Sequence, residues 1–189
     1  SKFPMVIKAD GLASGKGVYI CEDTHDATIA VNEIFDGRFG KADCILFEEF
    51  LEGEEMSYFI ISDGETFKSF QTAQDHKRVG HGDTGSNTGG MGAYSPSRLL
   101  TTTLEEKIIN KIINPTLTAL KEMKGDTEDV TSYVGFLYAG LMIVDNEPYL
   151  IEYNIRMGDP ECQTILPLLK TDLGEIIISC YCLLYTSPS

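Results

Sequence analysis

Lys8 and Lys16 flank a glycine-rich stretch, Gly11-Leu12-Ala13-Ser14-Gly15-Lys16-Gly17, in a chain with an excess of acidic residues. Glycines let backbone N–H groups approach a phosphate, and an ammonium supplies counter-charge. The stretch is not the phosphate loop that opens a helix. Three residues rather than four separate Gly11 from Gly15, and Gly17 rather than a hydroxyl residue follows Lys16. A flexible hairpin tip with a solvated lysine carries the same pattern; Lys8, on the segment leading in, favours the phosphate. A second group is Ile151-Glu152-Tyr153-Asn154-Ile155-Arg156. In a strand alternate side chains share a face, so Glu152, Asn154 and Arg156 lie together. A carboxylate and an amide carbonyl are hard oxygen ligands suited to Mg²⁺ or Mn²⁺ shared with phosphates. A guanidinium beside them stabilises phosphoryl or oxyanion charge. An ordinary half-buried strand with a polar outer face would show the same spacing.

Two further clusters are less specific. Gln74-Asp75-His76-Lys77-Arg78 sets cations beside a carboxylate, which fits a grip on a small anionic or amine substrate, or a solvated turn. Glu48, Glu49, Glu54 and Glu55 form an acidic group. It reads as a solvated junction, or as a hinge whose backbone meets an adenine edge and whose carboxylate holds ribose hydroxyls.

The elements that must hold these groups follow from apolar periodicity and turn residues. Residues 5–9 and 18–21 are short β-type runs about the glycine turn, a hairpin. Thr24 is expected to cap a helix over 26–35, with Ala27, Ala30, Val31 and Ile34 at helical spacing. A third strand over 44–47 completes a small α+β lobe, 1–51. Strands at 56–62 and 67–72, joined through Asp63-Gly64, open a larger lobe, 52–180. Residues 80–92 form a glycine-rich loop, too long for a plain connector. Thr103-Leu104-Glu105-Glu106 reads as a capping box for a helix over 104–123, which Pro115 should kink or split. Strands at 135–144 and 149–153 form a hairpin across 145–148, and a last, interrupted helix runs from 160 to 180. No repeat or linker separates independent domains.

The chain has 189 residues, 42% hydrophobic and 23% charged, the composition of a globular protein. Its 15 Lys+Arg against 29 Asp+Glu give a formal charge of −14, which argues against a nucleic-acid binder or a basic membrane-surface protein. No apolar run approaches the ~20 residues of a membrane span, and no signal-peptide pattern opens the chain. Five cysteines without a C-x-x-C pair read as free thiols in a reducing cytoplasm. The chain opens at Ser1 and is expected to be a piece of a longer protein.

Together and in order, several motifs resemble the ATP-grasp ligases, and within them the glycinamide ribonucleotide synthetase (phosphoribosylamine–glycine ligase) family. They are Val6-Ile7-Lys8-Ala9-Asp10-Gly11-Leu12-Ala13-Ser14-Gly15-Lys16-Gly17-Val18, Glu48-Glu49-Phe50-Leu51-Glu52-Gly53-Glu54-Glu55, Ala73-Gln74-Asp75-His76-Lys77-Arg78 and Asn87-Thr88-Gly89-Gly90-Met91-Gly92. Gly135-Phe136-Leu137-Tyr138-Ala139-Gly140-Leu141-Met142 and the stretch from Ile151-Glu152-Tyr153-Asn154 to Gly158-Asp159-Pro160-Glu161 complete the set, which covers residues 4 to 176.

The resemblance implies an α+β ATP-grasp fold, two lobes with mainly antiparallel sheets enclosing an ATP cleft. It implies Lys8, Gly11, Gly15, Lys16 and Gly17 at the phosphates, Glu48, Glu49 and Leu51 at the adenine, and Glu55 at the ribose. Glu152 and Asn154 match the ligands of Mg²⁺ or Mn²⁺. Arg156 and Lys16 are expected to act on the reacting groups. Asp75, His76, Lys77, Asn87, Thr88, Gly89, Gly90 and Asp159 match regions around the substrates glycine and 5-phosphoribosylamine. The implied reaction is ATP-dependent ligation through glycyl phosphate, in de novo purine biosynthesis, with no nucleic-acid or membrane partner; the oligomeric state is open, a monomer included. Ser86, Met157 and Cys162 depart from the family pattern, which has proline, an aromatic residue and threonine there. The family's N- and C-terminal domains are expected outside this chain, and the tail 181–189 carries no family motif, so Cys180 and Cys182 receive no function. The alternatives are another ATP-grasp carboxylate–amine ligase, or a non-catalytic acidic binding module.

Overall fold

The computed structural model describes residues 2–11, 17–76, 78–80, 84–87, 90–123 and 132–181, with the backbone alone at 78–79 and 84–87. The chain divides into two compact units, Ser1–Glu52 and Gly53–Ser189.

In the first unit, β1 (Met5–Ala9) lies between β2 (Val18–Cys21) and β3 (Ile45–Glu49), antiparallel to both. Helix α1 (Thr24–Phe35) covers one face, where Ile7, Cys21, Ala30 and Ile34 form the core. Strand alternation sends Val6, Lys8, Val18, Ile20, Leu46 and Glu48 to the other face. Asp23, not Thr24, caps α1: its carboxylate accepts from the N–H groups of His25 and Asp26 at 2.8 and 3.0 Å. Thr24 is already helical, and its backbone carbonyl accepts from the Thr28 hydroxyl at 2.7 Å.

In the second unit, β4 (Glu54–Asp63) and β10 (Val134–Val144) pair at the centre of a sheet, flanked by β11 (Glu147–Asn154) beyond β10 and β5 (Phe67–Ser69) beyond β4. From Met56 to Asp63 every residue of β4 is buried. Met56, Tyr58 and Ile60, with Leu137, Ala139 and Leu141, pack on Leu104, Ile108, Ile112 and Ile113. Phe59 and Tyr138, on the opposite face, pack with Ala73 and Ile165. The hairpin joining β10 to β11 is tighter than its sequence suggests, with only Asp145 and Asn146 between the strands. Both have positive φ, 49° and 66°, as a two-residue hairpin turn requires.

The helix expected over 104–123 starts earlier and is not broken. Its cap is Thr101, whose side chain accepts from Leu104 N–H, so Thr103 forms no capping box. Helix α2 (Thr102–Ile108) passes through a π-helical segment, Ile109–Ile113, into α3 (Asn114–Glu122). The wider turn, closed by Asn114 N–H to Ile109 C=O, accommodates Pro115 without ending the helix. The glycine-rich segment expected as a loop holds a small hairpin, β7 (Arg78–Gly80) with β8 (Thr84–Asn87). Before and after it, β6 (Gln74–Asp75) pairs with β9 (Ala93–Tyr94). The last helix is divided as expected, into α4 (Glu161–Ile165), a 3₁₀ turn at Leu166–Leu168, and α5 (Leu173–Tyr181).

Candidate active site

One sheet face of the first unit carries an ion pair among apolar side chains. Lys8 Nζ lies 2.6 Å from Glu48 Oε2. Val18, Ile20 and Leu46, exposed beside the pair, offer a flat apolar surface of the kind an aromatic base covers. Glu49 is the strand neighbour of Glu48 and therefore faces the α1 side, opposite Met5. Leu51 is half-buried just beyond the strand. Gly11, at φ 152°, follows β1, and Gly17 C=O accepts from Ala9 N–H at 2.9 Å, closing the base of the hairpin. Gly15 and Lys16 lie outside the described residues.

The second unit gathers more of the expected residues. Cross-strand pairing sets Glu152 opposite Gly140, and Gly140 opposite Ser57; Asn154 is opposite Tyr138. Glu152 and Asn154 therefore share the face away from α2 and α3, and Asn154 Nδ2 donates to Glu152 Oε1 at 3.3 Å. A register shift at Gly140/Leu141 leaves Ile151 as an extra residue in β11, next to Glu152. A Cβ on Gly140 would sit 3.1 Å from Glu152 Cγ, so the bare backbone gives the glutamate room. Glu55, Ser57, Asp75, Tyr138, Gly140 and Glu152 line one narrow recess, open to solvent.

Behind this recess lies support that sequence reasoning missed. Glu161 is 2% exposed. Its Oε1 accepts from Ser57 Oγ and from Tyr138 Oη, each at 3.0 Å, and the two hydroxyls are 2.9 Å apart. Burial first, and then the Glu161 carboxyl, push the Tyr138 phenol far above its ordinary value. Glu161 belongs to a quoted motif, but an acidic residue in a first helical turn ordinarily faces water, and nothing in the sequence marks it as buried.

Asp75 and Asp159 approach one another through Gly90. A Cβ at Gly90 would lie 2.5 Å from Pro160 Cδ, 3.2 Å from Asp75 Oδ1 and 3.3 Å from Asp159 O. At φ 123° this position also favours glycine for its backbone. His76 is held by backbone bonds to Gly92 and Met91, with its ring 6.0 Å from that of Tyr94. Asp159 accepts from Gln163 Nε2 at 2.7 Å, and exposed Arg156 donates to Met157 C=O at 3.1 Å. The backbone of Asn87 pairs with Arg78 in the small hairpin. Lys77, Thr88 and Gly89 lie outside the described residues. Met157, one of the departures from the family pattern, packs on the Phe59 cluster, and burial raises the thiol of Cys162, another.

A cation would find two hard oxygen donors at Glu152 and Asn154. Among the described residues no group of three or more His, Cys, Asp or Glu side chains forms a metal cage.

Folds with this pair of antiparallel units occur among known structures. Biotin carboxylase from Campylobacter jejuni matches 100% of this chain and 39% of its own, with a TM-score of 0.72 at 18% identity. D-alanine–D-alanine ligase from Bacillus anthracis complexed with ATP matches 99% of this chain and 54% of its own, with a TM-score of 0.60 at 20% identity. Identities this low speak for the fold alone, and it is the ATP-grasp fold. Residues 1–162 match the family described as phosphoribosylglycinamide synthetase, ATP-grasp (A) domain, and the chain belongs to that family. Phosphoribosylamine–glycine ligase of Agrobacterium fabrum is 50% identical over 175 residues, 92% of this chain and 40% of the relative. The chloroplastic enzyme of that name from Arabidopsis thaliana is 49% identical over 180 residues, 93% of this chain and 33% of the relative. The crystal structure of phosphoribosylamine–glycine ligase from Thermotoga maritima matches 95% of this chain and 44% of its own, with a TM-score of 0.83 at 34% identity. The chain thus spans about 40% of the length of curated relatives such as the Agrobacterium enzyme.

Proposed function

We propose that this chain handles ATP and the acid substrate in a ligase that joins glycine to 5-phosphoribosylamine. The observation that carries the reading is the recess where Glu152 stands beside Asn154 and faces Glu55 and Asp75, in a chain of this family. A glycine carboxylate oxygen attacks the γ-phosphorus of ATP, and ADP leaves. The amine of phosphoribosylamine then attacks the acyl carbon, phosphate leaves, and the amine gives up one proton. The product is glycinamide ribonucleotide.

The roles follow from charge and position. Lys8, freed from Glu48, and Lys16 neutralise phosphate charge, with Gly11, Gly15 and Gly17 giving backbone access. The apolar face around Lys8 receives the base; Glu48, Glu49 and Leu51 serve its edge, and Glu55 serves the ribose. Glu152 and Asn154 hold Mg²⁺ or Mn²⁺, which, when bound, neutralises charge on the transferring phosphate. Asp75, His76, Lys77, Asn87, Thr88, Gly89, Gly90 and Asp159 surround the acceptor substrates, and Arg156 steadies developing negative charge. Catalysis of this kind is positioning and electrostatics, and exclusion of water protects the acyl phosphate. Cys21, Cys44, Cys162 and Cys180 are free thiols among the described residues, in keeping with a reducing compartment such as the cytoplasm. No described helix is long and apolar enough to cross a membrane.

Calorimetric titration with MgATP tests the reading. Heat of binding is expected from the chain and not from the Lys8→Ala/Glu152→Ala double variant; equal heat from both removes the proposal. ADP release that depends on glycine, and not on other carboxylic acids, distinguishes this ligase from others of its fold.

A further inference from the structure

We propose that Glu161 is a positioning residue, whose buried carboxyl group ties the 155–160 turn, carrying Arg156 and Asp159, to the strand pair that bears Ser57 and Tyr138. Glu161 cannot itself meet a substrate at 2% exposure. It acts through what it holds. Ser57, Tyr138 and Glu161 place three oxygens within 2.9–3.0 Å of one another. A carboxylate only accepts, so the two hydroxyl protons stay within the trio, on Oε1 or on the contact between the hydroxyls, and towards any ligand the two hydroxyls offer lone pairs alone. The recess they line also holds Glu55, Asp75 and Glu152, so its wall is built of acceptors. Such a wall suits a small donor group, the amine of an amino acid among them; this ligand rests on the function proposed above.

The turn itself is pinned from two sides. Glu161 Oε2 lies where a Cβ on Gly158 would be, at 2.3 Å, so only glycine lets the carboxyl fold back against the backbone there. Pro160 lies equally close to Gly90, at 2.5 Å from the corresponding point. Releasing Glu161 removes the first of these two contacts, at Gly158, and loosens the turn that carries Arg156 and Asp159.

The test compares Glu161→Ala with Glu161→Gln, whose amide oxygen still accepts from both hydroxyls. Hydrogen exchange read by mass spectrometry is expected to rise about tenfold over 155–160 in the alanine variant and not over 5–9 or 104–113, with glutamine close to wild type. In steady-state assays the alanine variant raises the glycine KM about tenfold and leaves MgATP affinity unchanged, and glutamine restores most of it. Unchanged exchange over 155–160 in the alanine variant overturns the proposal. So does equal damage by both substitutions, or a rise spread over the whole unit. The steady-state arm is read in the full-length ligase, since this chain spans about 40% of its relatives' length; if that ligase shows no glycine-dependent turnover, the functional reading fails by itself and the exchange comparison alone decides this one. Should Glu161→Ala not fold, Ser57→Ala and Tyr138→Phe replace it, and faster exchange over 155–160 in each supports the tie while unchanged exchange overturns it.

Discussion

The two units expose candidate binding residues on unlike foundations. In the first, helix α1 packs on one face of a three-stranded sheet, and on the other face Lys8, itself only 14% exposed, pairs with Glu48 among exposed Val18, Ile20 and Leu46. In the second, Glu152 and Asn154 stand on a sheet packed on both faces, backed by a buried carboxyl and two buried hydroxyls. A ligand residue on such a face costs the fold little to change. A ligand residue above a buried polar network shares its support with the core.

Substitutions can break or sharpen that contrast. The largest effect is expected in the doubly covered unit, where Ile113→Ala removes a side chain with 0% exposure from the helix–sheet core. It should lower stability by about 2–5 kcal/mol in denaturant titration, with the site's residues intact. Next, Lys8→Ala should cost about 1.5–3 kcal/mol of MgATP affinity, roughly ten- to a hundredfold, while leaving the denaturation midpoint nearly unchanged. If it instead unfolds the chain, that face is structural and the contrast is lost. Removing the α1 cap by Asp23→Ala should cost about 1 kcal/mol, seen as a lower midpoint with MgATP affinity retained.

The smallest effect is a pH dependence at Asp63. Burial alone would raise this carboxyl, but the N–H groups of Thr66 and Glu65 and the Thr66 hydroxyl offset it and hold it below its ordinary 3.8. A depressed carboxyl stabilises the fold above that ordinary value, and the contribution is lost as pH falls through the lower, folded value. Acid titration of stability should therefore be shallower below about pH 4 in Asp63→Asn than in wild type.

The sequence made the strands around the site legible because alternation survives in them. Glu152 and Asn154 do share a face, opposite Gly140 and Tyr138, but β11 ends at Asn154, so Arg156, expected on the same face, lies beyond the strand. The order β1, β2, α1, β3 is likewise visible in runs of four to twelve residues bounded by turn formers. Caps were harder to read. Thr101, Thr102 and Thr103 are chemically equivalent candidates, and only the packing of Leu104 and Ile108 decides which starts the helix. Pro115 suggests a break, yet a π turn needs only a slightly wider spiral, which composition does not announce. The buried state of Glu161 depends on Ser57 and Tyr138, 104 and 23 residues away, and no local pattern encodes such a meeting. The single extra residue in β11 is equally silent, since Ile151 suits a regular strand as well as a bulged one.

That supernumerary isoleucine separates β11 into two stretches with independent phase. Toward the Asp145-Asn146 bend, pairing is counted from the hairpin; toward Glu152, it is counted afresh from Gly140. A slip of one step at the bend therefore has somewhere to be absorbed before it reaches Glu152 and Asn154. Lengthening or shortening the hairpin tip by a residue should leave Glu152 and Asn154 pointing as they do, whereas the same change between 152 and 154 would turn one of them to the other side of the sheet.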